Sequence, residues 1–206
     1  MADFLPILTF HTLDDQLSTI SFSAQVFRRG LARFHEKGYR TMTLPEAVNL
    51  LRQKASFPER SLVITFDDGY QTVYDVAFPI LQRYGMSATV FLTTGEKRMA
   101  MGAGRLSSIK GRSMLSWDEI QEMHRCGVTF GAHTLTHPDL TRLTFDQIRF
   151  EIYDSKAIIE DALGAPVTCF AYPHGRYNGR IRDLVQQGFA CACSDKFGLM
   201  TSQSVP

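Results

Sequence analysis

The sequence predicts an α/β fold in which a mainly parallel sheet is covered by helices. Three observations predict it. Seven short apolar or β-branched runs alternate with longer amphipathic segments along the chain. Glycines stand where the amphipathic segments stop, at Gly38, Gly85, Gly127 and Gly164. Residues that do chemistry stand just after four of the short runs. Catalytic residues collect at the carboxyl ends of the strands in both closed barrels and open doubly wound sheets. The alternation alone is compatible with either arrangement.

The elements follow in order. Leu5–Phe10 reads as a strand ending at His11, and Thr12–Phe22 as a polar loop. Ser23 opens a helix whose apolar stripe is Phe27, Leu31 and Phe34. Tyr39–Met42 is a short second strand. Thr43 and Glu46 then form a capping box for a helix reaching about Lys54. Leu62–Phe66 is the third strand, and the next helix has Val73, Ala77, Ile80, Leu81 and Tyr84 on one side. Ala88–Leu92 is the fourth strand. A long insertion from Thr93 to about Met114 follows, with Lys97, Arg98, Arg105, Lys110 and Arg112 against one acid, Glu96. It reads as a solvated surface loop, or as a lid or rim drawing in an anionic substrate. Ser116 and Glu119 cap the next helix, and Val128–Ala132 is the fifth strand, ending in His133. Thr144 and Gln147 cap the longest helix, to about Leu163. Val167–Ala171 is the sixth strand, Asn178 caps a short helix, and Phe189–Cys193 is the seventh strand. No element is predicted over 194–206.

Bulk properties narrow the function classes. The chain's 206 residues suffice for one domain, expected to span 1–206. A net charge of +1 gives no reason to expect nucleic acid or an anionic membrane as partner. Its four cysteines, Cys126, Cys169, Cys191 and Cys193, contain no CxxC and read as reduced core residues. The N-terminus lacks a basic region, and Pro6 interrupts its apolar run, so no signal peptide is expected. No run approaches the ~18 apolar residues of a membrane span. The expected location is the cytoplasm, with export through a lost leader left open. Oligomeric state is not legible.

The chain is organised around Leu62–Tyr70, LVITFDDGY. Adjacent carboxylates at a strand end, Asp67 and Asp68, can divide two tasks, one binding a metal and the other handling a proton. Gly69 lets the backbone turn. His133 and His137 form an H-x-x-x-H pair; Pro138 and the preceding strand argue for a tight loop rather than a helix. Two imidazoles and one carboxylate leave open positions on a divalent ion, as a hydrolytic site needs. A hydrolytic site also needs a general acid, which must come from the rim. His11, on a rigid strand end, is preferred to His174; His35 and His124 lie on predicted helices facing away.

FDDG, HTLTHP and YPHG, in this order, resemble the polysaccharide deacetylase family, the NodB-homology group of carbohydrate esterases. The resemblance runs from about Leu5 to Cys193 and includes PILTFH, FPIL, ATVFL and LSW. It implies a distorted (β/α) barrel of about seven strands. It implies a metal-dependent hydrolase removing N-linked, or O-linked, acetyl groups from a sugar or polysaccharide. Asp67 matches the catalytic base, and Asp68, His133 and His137 match the metal ligands. Zinc is the first candidate metal, with cobalt, nickel and manganese as alternatives. Thr134 matches a supporting loop position. Backbone near Pro173 and His174 matches the strip beside the scissile amide, with the His174 N–H as oxyanion donor because Pro173 has none, and Tyr172 is grouped with Pro173 and His174 as substrate-binding. Trp117 of LSW is grouped with the substrate-binding residues.

Two positions depart from the family pattern. Ala171 stands where many members carry an arginine paired with the base, and no histidine follows His174 to supply the usual acid. These departures motivate an alternative, an impaired relative that binds glycan or metal. A phosphohydrolase or receiver-like domain is a second alternative, since paired aspartates also bind magnesium. It needs a further acid at a neighbouring strand end and has little use for HxxxH.

Overall fold

The computed structural model describes residues 4–95, 104–109, 111–195 and 200–201. Each of the seven expected strands is present within it. The chain forms β1 (Phe4–Leu5), β2 (Ile7–Phe10), α1 (Ala24–Glu36), β3 (Arg40–Thr41), α2 (Leu44–Arg52) and β4 (Ser61–Phe66). A π-helical turn at Val73–Ala77 leads into α3 (Phe78–Arg83). There follow β5 (Thr89–Leu92), α4 (Trp117–Arg125), β6 (Thr129–Ala132) and α5 (Phe145–Leu163). The last elements are β7 (Cys169–Ala171), α6 (Gly179–Gly188), β8 (Cys191–Cys193) and β9 (Met200–Thr201).

The sheet order is β2-β4-β5-β6-β7-β8, with every neighbour parallel and β3 paired to the start of β4. The sheet curls into a partial barrel with helices outside, a distorted (β/α) barrel. All six residues of β4 are buried, because both faces of the sheet are covered. Leu62, Ile64 and Phe66 pack outward with Phe27, Leu31 and Leu81 of the helical layer. Val63 faces inward with Phe91, Cys169 and Ala171, where α2 inserts Leu44, Val48 and Leu51. Parallel register pairs Phe10 with Phe66, so the ends of these two strands stand level at one rim.

The capping boxes of α2, α4 and α5 form as the sequence predicts, and Asn178 caps α6. Ser23 precedes α1 without a side-chain cap bond. Several expectations change. Pro6 splits the first strand in two, since it has no N–H to give a ladder. Met200–Thr201, in the stretch with no predicted element, pairs antiparallel with Phe4–Leu5; two-residue strands leave no periodicity to read. The described part of the insertion is a surface loop with anchors: Gly104, Arg105, Ser107, Ser108, Gly111 and Ser113 are exposed, whereas Leu106 and Met114 are buried, and the Leu115 N–H donates to the Gly69 carbonyl at 2.9 Å. Its Arg112 pairs with Asp14, and Arg105 with Glu119 at 3.4 Å. Those two cations are therefore spent on the protein; Lys97, Arg98 and Lys110 lie outside the described residues. Cys169 and Cys191 are buried neighbours, whereas Cys126 is exposed, following the last turn of α4 on its solvent side. Among the described residues no helix is long and apolar enough to cross a membrane.

Candidate active site and metal centre

The Asp67 N–H donates to the Phe10 carbonyl at 2.9 Å, the last rung between β4 and β2. The chain then reverses through two consecutive left-handed residues, Asp68 (φ 74°) and Gly69 (φ 86°). At Gly69 a Cβ would lie 2.9 Å from methyls of both Leu92 and Leu106, so a side chain is excluded by space as well as by φ. This reversal turns Asp68 toward the end of β6.

There the His133 N–H donates to the Leu92 carbonyl at 2.9 Å and holds the first histidine at the strand end. Thr134 takes φ 69°, an outlier for a β-branched residue, and its hydroxyl accepts the His137 N–H at 3.0 Å. The loop is thereby closed so tightly that the two imidazole centroids lie 4.7 Å apart. His137 (φ 58°) brings its ring 4.6 Å from that of His174, which itself sits at φ 56° in the turn Pro173–Gly175.

The donor set is defined by its hydrogen bonds. His133 Nδ1 lies 2.8 Å from the Ala171 carbonyl, which can only accept, so Nδ1 carries the proton and Nε2 presents its lone pair. Burial pushes His133 down to about 4, against the opposing pull of Asp68, so the ring is neutral near pH 7. That lone pair faces Asp68 Oδ1 at 3.6 Å, and His137 Nε2 is 3.4 Å from the same oxygen. Oδ1 is buried and has no hydrogen-bond partner among the described residues. The ligand atoms of Asp68, His133 and His137 all lie within 4.8 Å of one another. Acceptors facing each other in a buried site are unfavourable unless a cation lies between them, so these residues fit a divalent metal and could hold one. Beside them, burial and then the carboxylates of Asp68 and Asp195 push Asp67 up to about 8.

The family model for polysaccharide deacetylase matches residues 54–190. The chain belongs to the polysaccharide deacetylase family. It is 33% identical over 174 residues to the Bacillus subtilis protein YxkH, covering 84% of this chain and 58% of that one. It is 31% identical over 133 residues to the poly-β-1,6-N-acetyl-D-glucosamine N-deacetylase of Staphylococcus epidermidis, covering 64% of this chain and 42% of that one. The chain thus spans about half the length of these curated relatives. A Streptococcus pyogenes deacetylase, PplD, solved in complex with acetate, superposes with a TM-score of 0.85 at 25% identity, covering 97% of this chain and 87% of that one.

Within this family fold, His11, Asp67, Asp68, His133, His137 and His174 all line one open cavity of about 960 Å³. Tyr172 lines it too, stacked on Tyr177 at 4.5 Å, while Pro173 is buried in the turn beneath. Thr134 is fully buried and acts on the loop through its hydroxyl. Trp117 is placed elsewhere. It opens α4, packs in the helical core and is not among the residues that line this cavity. Sequence reasoning also missed Asp195, which lines the cavity mouth with its carboxylate packed against Gly175. The signal was available: an acid just beyond the seventh strand obeys the same strand-end rule as Asp67.

Proposed function

We propose that this chain is a metal-dependent deacetylase that hydrolyses the N-acetyl group of an amino sugar within a polysaccharide, zinc being the first candidate metal. The observation that carries the reading is the convergence of Asp68 Oδ1, His133 Nε2 and His137 Nε2 beside Asp67 on the wall of an open cavity. The donor set of two imidazoles and one carboxylate suits zinc and leaves positions for substrate. The name of the staphylococcal relative supports an N-acetylglucosamine polymer as substrate class.

A divalent ion held by Asp68, His133 and His137 would supply Lewis acidity at the acyl oxygen. The protein's own groups supply the rest. Asp67, with its affinity for a proton raised toward neutrality, takes a proton from the attacking water as the water oxygen bonds to the acyl carbon. His174 lines the same cavity, and its N–H would serve as the donor to the developing oxyanion. His11, on the same wall, gives a proton to the nitrogen as the C–N bond breaks, leaving acetate and a free amine. The bond from His133 Nδ1 to the Ala171 carbonyl fixes the ring and its tautomer for the metal.

The test is acetate release from a β-1,6-linked N-acetylglucosamine oligomer by chelator-treated protein, with and without added zinc. Release that requires the metal supports the reading. Absence of release from this oligomer and from an aryl acetate, by protein shown to contain zinc, overturns it.

A further inference from the structure

The loop that carries both histidines is held from behind by a residue outside the family motifs used above. Glu151 lies on the inner face of α5 and is 8% exposed. Its Oε2 accepts the Leu135 N–H at 2.9 Å and the Thr136 N–H at 3.0 Å, and its Oε1 accepts the Thr136 hydroxyl at 2.6 Å. Leu135 and Thr136 are residues between His133 and His137. Glu151 makes no ion pair among the described residues, so its carboxylate is directed wholly to this loop. The neighbouring inward positions of α5 are Ile148, Ile152 and Ile159, where the helix packs as an apolar face. A buried carboxylate among them needs its own partners, and the loop supplies all three.

The rest of the loop is also pinned. The Gly95 N–H donates to the Leu135 carbonyl at 2.7 Å, and the Thr94 N–H to the Thr134 carbonyl at 3.3 Å. Thr134 and His137 hold left-handed conformations that cost free energy unless their surroundings impose them. Glu151 is the side chain that binds the two amides lying between those strained residues.

We infer that Glu151 is a positioning residue: it fixes the separation of His133 and His137 and so sets the affinity of the site for its divalent metal. This rests on the reading of Asp68, His133 and His137 as ligands. The hydrogen bonds act through backbone geometry, so the amide isostere should serve nearly as well. A glutamine oxygen can take both backbone N–H groups while the Thr136 hydroxyl turns to accept from the NH2.

The test measures zinc affinity of the folded, chelator-treated chain by competition with a chromophoric chelator, alongside circular dichroism and the melting temperature without metal. Glu151→Ala should weaken zinc binding by roughly 10–100-fold, Thr136→Val by roughly 3–10-fold, and Glu151→Gln by less than about threefold. A merely structural Glu151 would lower the melting temperature without changing zinc affinity, and that result overturns the inference. So does a Glu151→Gln variant as impaired as Glu151→Ala. If Glu151→Ala does not fold, Thr136→Val decides: affinity equal to wild type refutes the role. A wild-type chain that binds no zinc instead removes the metal reading itself, and the inference with it.

Discussion

Asp68→Asn should make the metal-free protein more stable while it weakens metal binding. Asp68 Oδ1 is a buried acceptor without a hydrogen-bond partner among the described residues, and it faces the lone pair of His133 Nε2 at 3.6 Å. An asparagine amide at that place can donate to Nε2, turning two opposed acceptors into a hydrogen bond. An orphaned buried polar group costs about 1–3 kcal/mol. In a chain of this length each kcal/mol moves the melting temperature by about 2–4 °C. The metal-free variant should therefore melt about 2–12 °C above wild type, by calorimetry at pH 8, above the ordinary imidazole range. Zinc at about 100 times its dissociation constant should then stabilise wild type by about 2.7 kcal/mol, and the variant far less. The order of the two melting temperatures narrows or reverses on adding metal. A variant less stable than wild type without metal, or shifted equally by zinc, would refute the argument that Asp68 is held in an uncompensated site for the sake of a cation.

Three further outcomes are expected. Asp67→Asn should cut turnover by about 10²–10⁴ while zinc content stays near wild type; equal metal loss in this variant and Asp68→Asn would mean the two roles are exchanged. His11→Ala should lower the rate by about 10²–10⁴ and remove the alkaline limb of the pH profile, and an active variant with that limb intact would move the acid role to His174 or to water. Asp14 is held down to about 2, because hydrogen bonds from Thr12, Ser21, Gln16 and Arg112 outweigh the opposing effect of burial. Its folded value lies below the ordinary 3.8, so its stabilisation is complete above about pH 4 and is lost as pH falls toward 2. With solvent screening this is about 1 kcal/mol. The gap in melting temperature between wild type and Arg112→Met should shrink over that range, and a gap constant from pH 7 to 2 would contradict it.

What was legible in the sequence was whatever local chemistry determines. The capping boxes at Thr43, Ser116 and Thr144 place helix starts because the bond partners lie three residues apart. The strand-end rule gathered His11, Asp67, His133 and His174 before any coordinates, because a parallel sheet aligns its carboxyl ends. What was not legible depends on partners distant in sequence. Nothing local marks Trp117 as core or Met200 as a strand paired to Leu5. Arg112 reads as a free cation until Asp14, 98 residues away, is brought to it. Glu151 looks like any helical glutamate until the loop folds over it.

Among the described residues, four of the six non-glycine residues with positive φ belong to the site: Asp68, His137 and His174 line one cavity, and Thr134 lies buried in the loop between the two histidine ligands. This clustering bears on any attempt to transplant the site. Copying the side chains onto another barrel would carry the ligands but not the left-handed turns that aim them, and an ordinary strand-to-helix loop would point Asp68 and His137 apart. The portable unit is the backbone of the three strand-end loops together with the buried groups that force it into those turns. A designer who keeps those loops has freedom elsewhere on the scaffold.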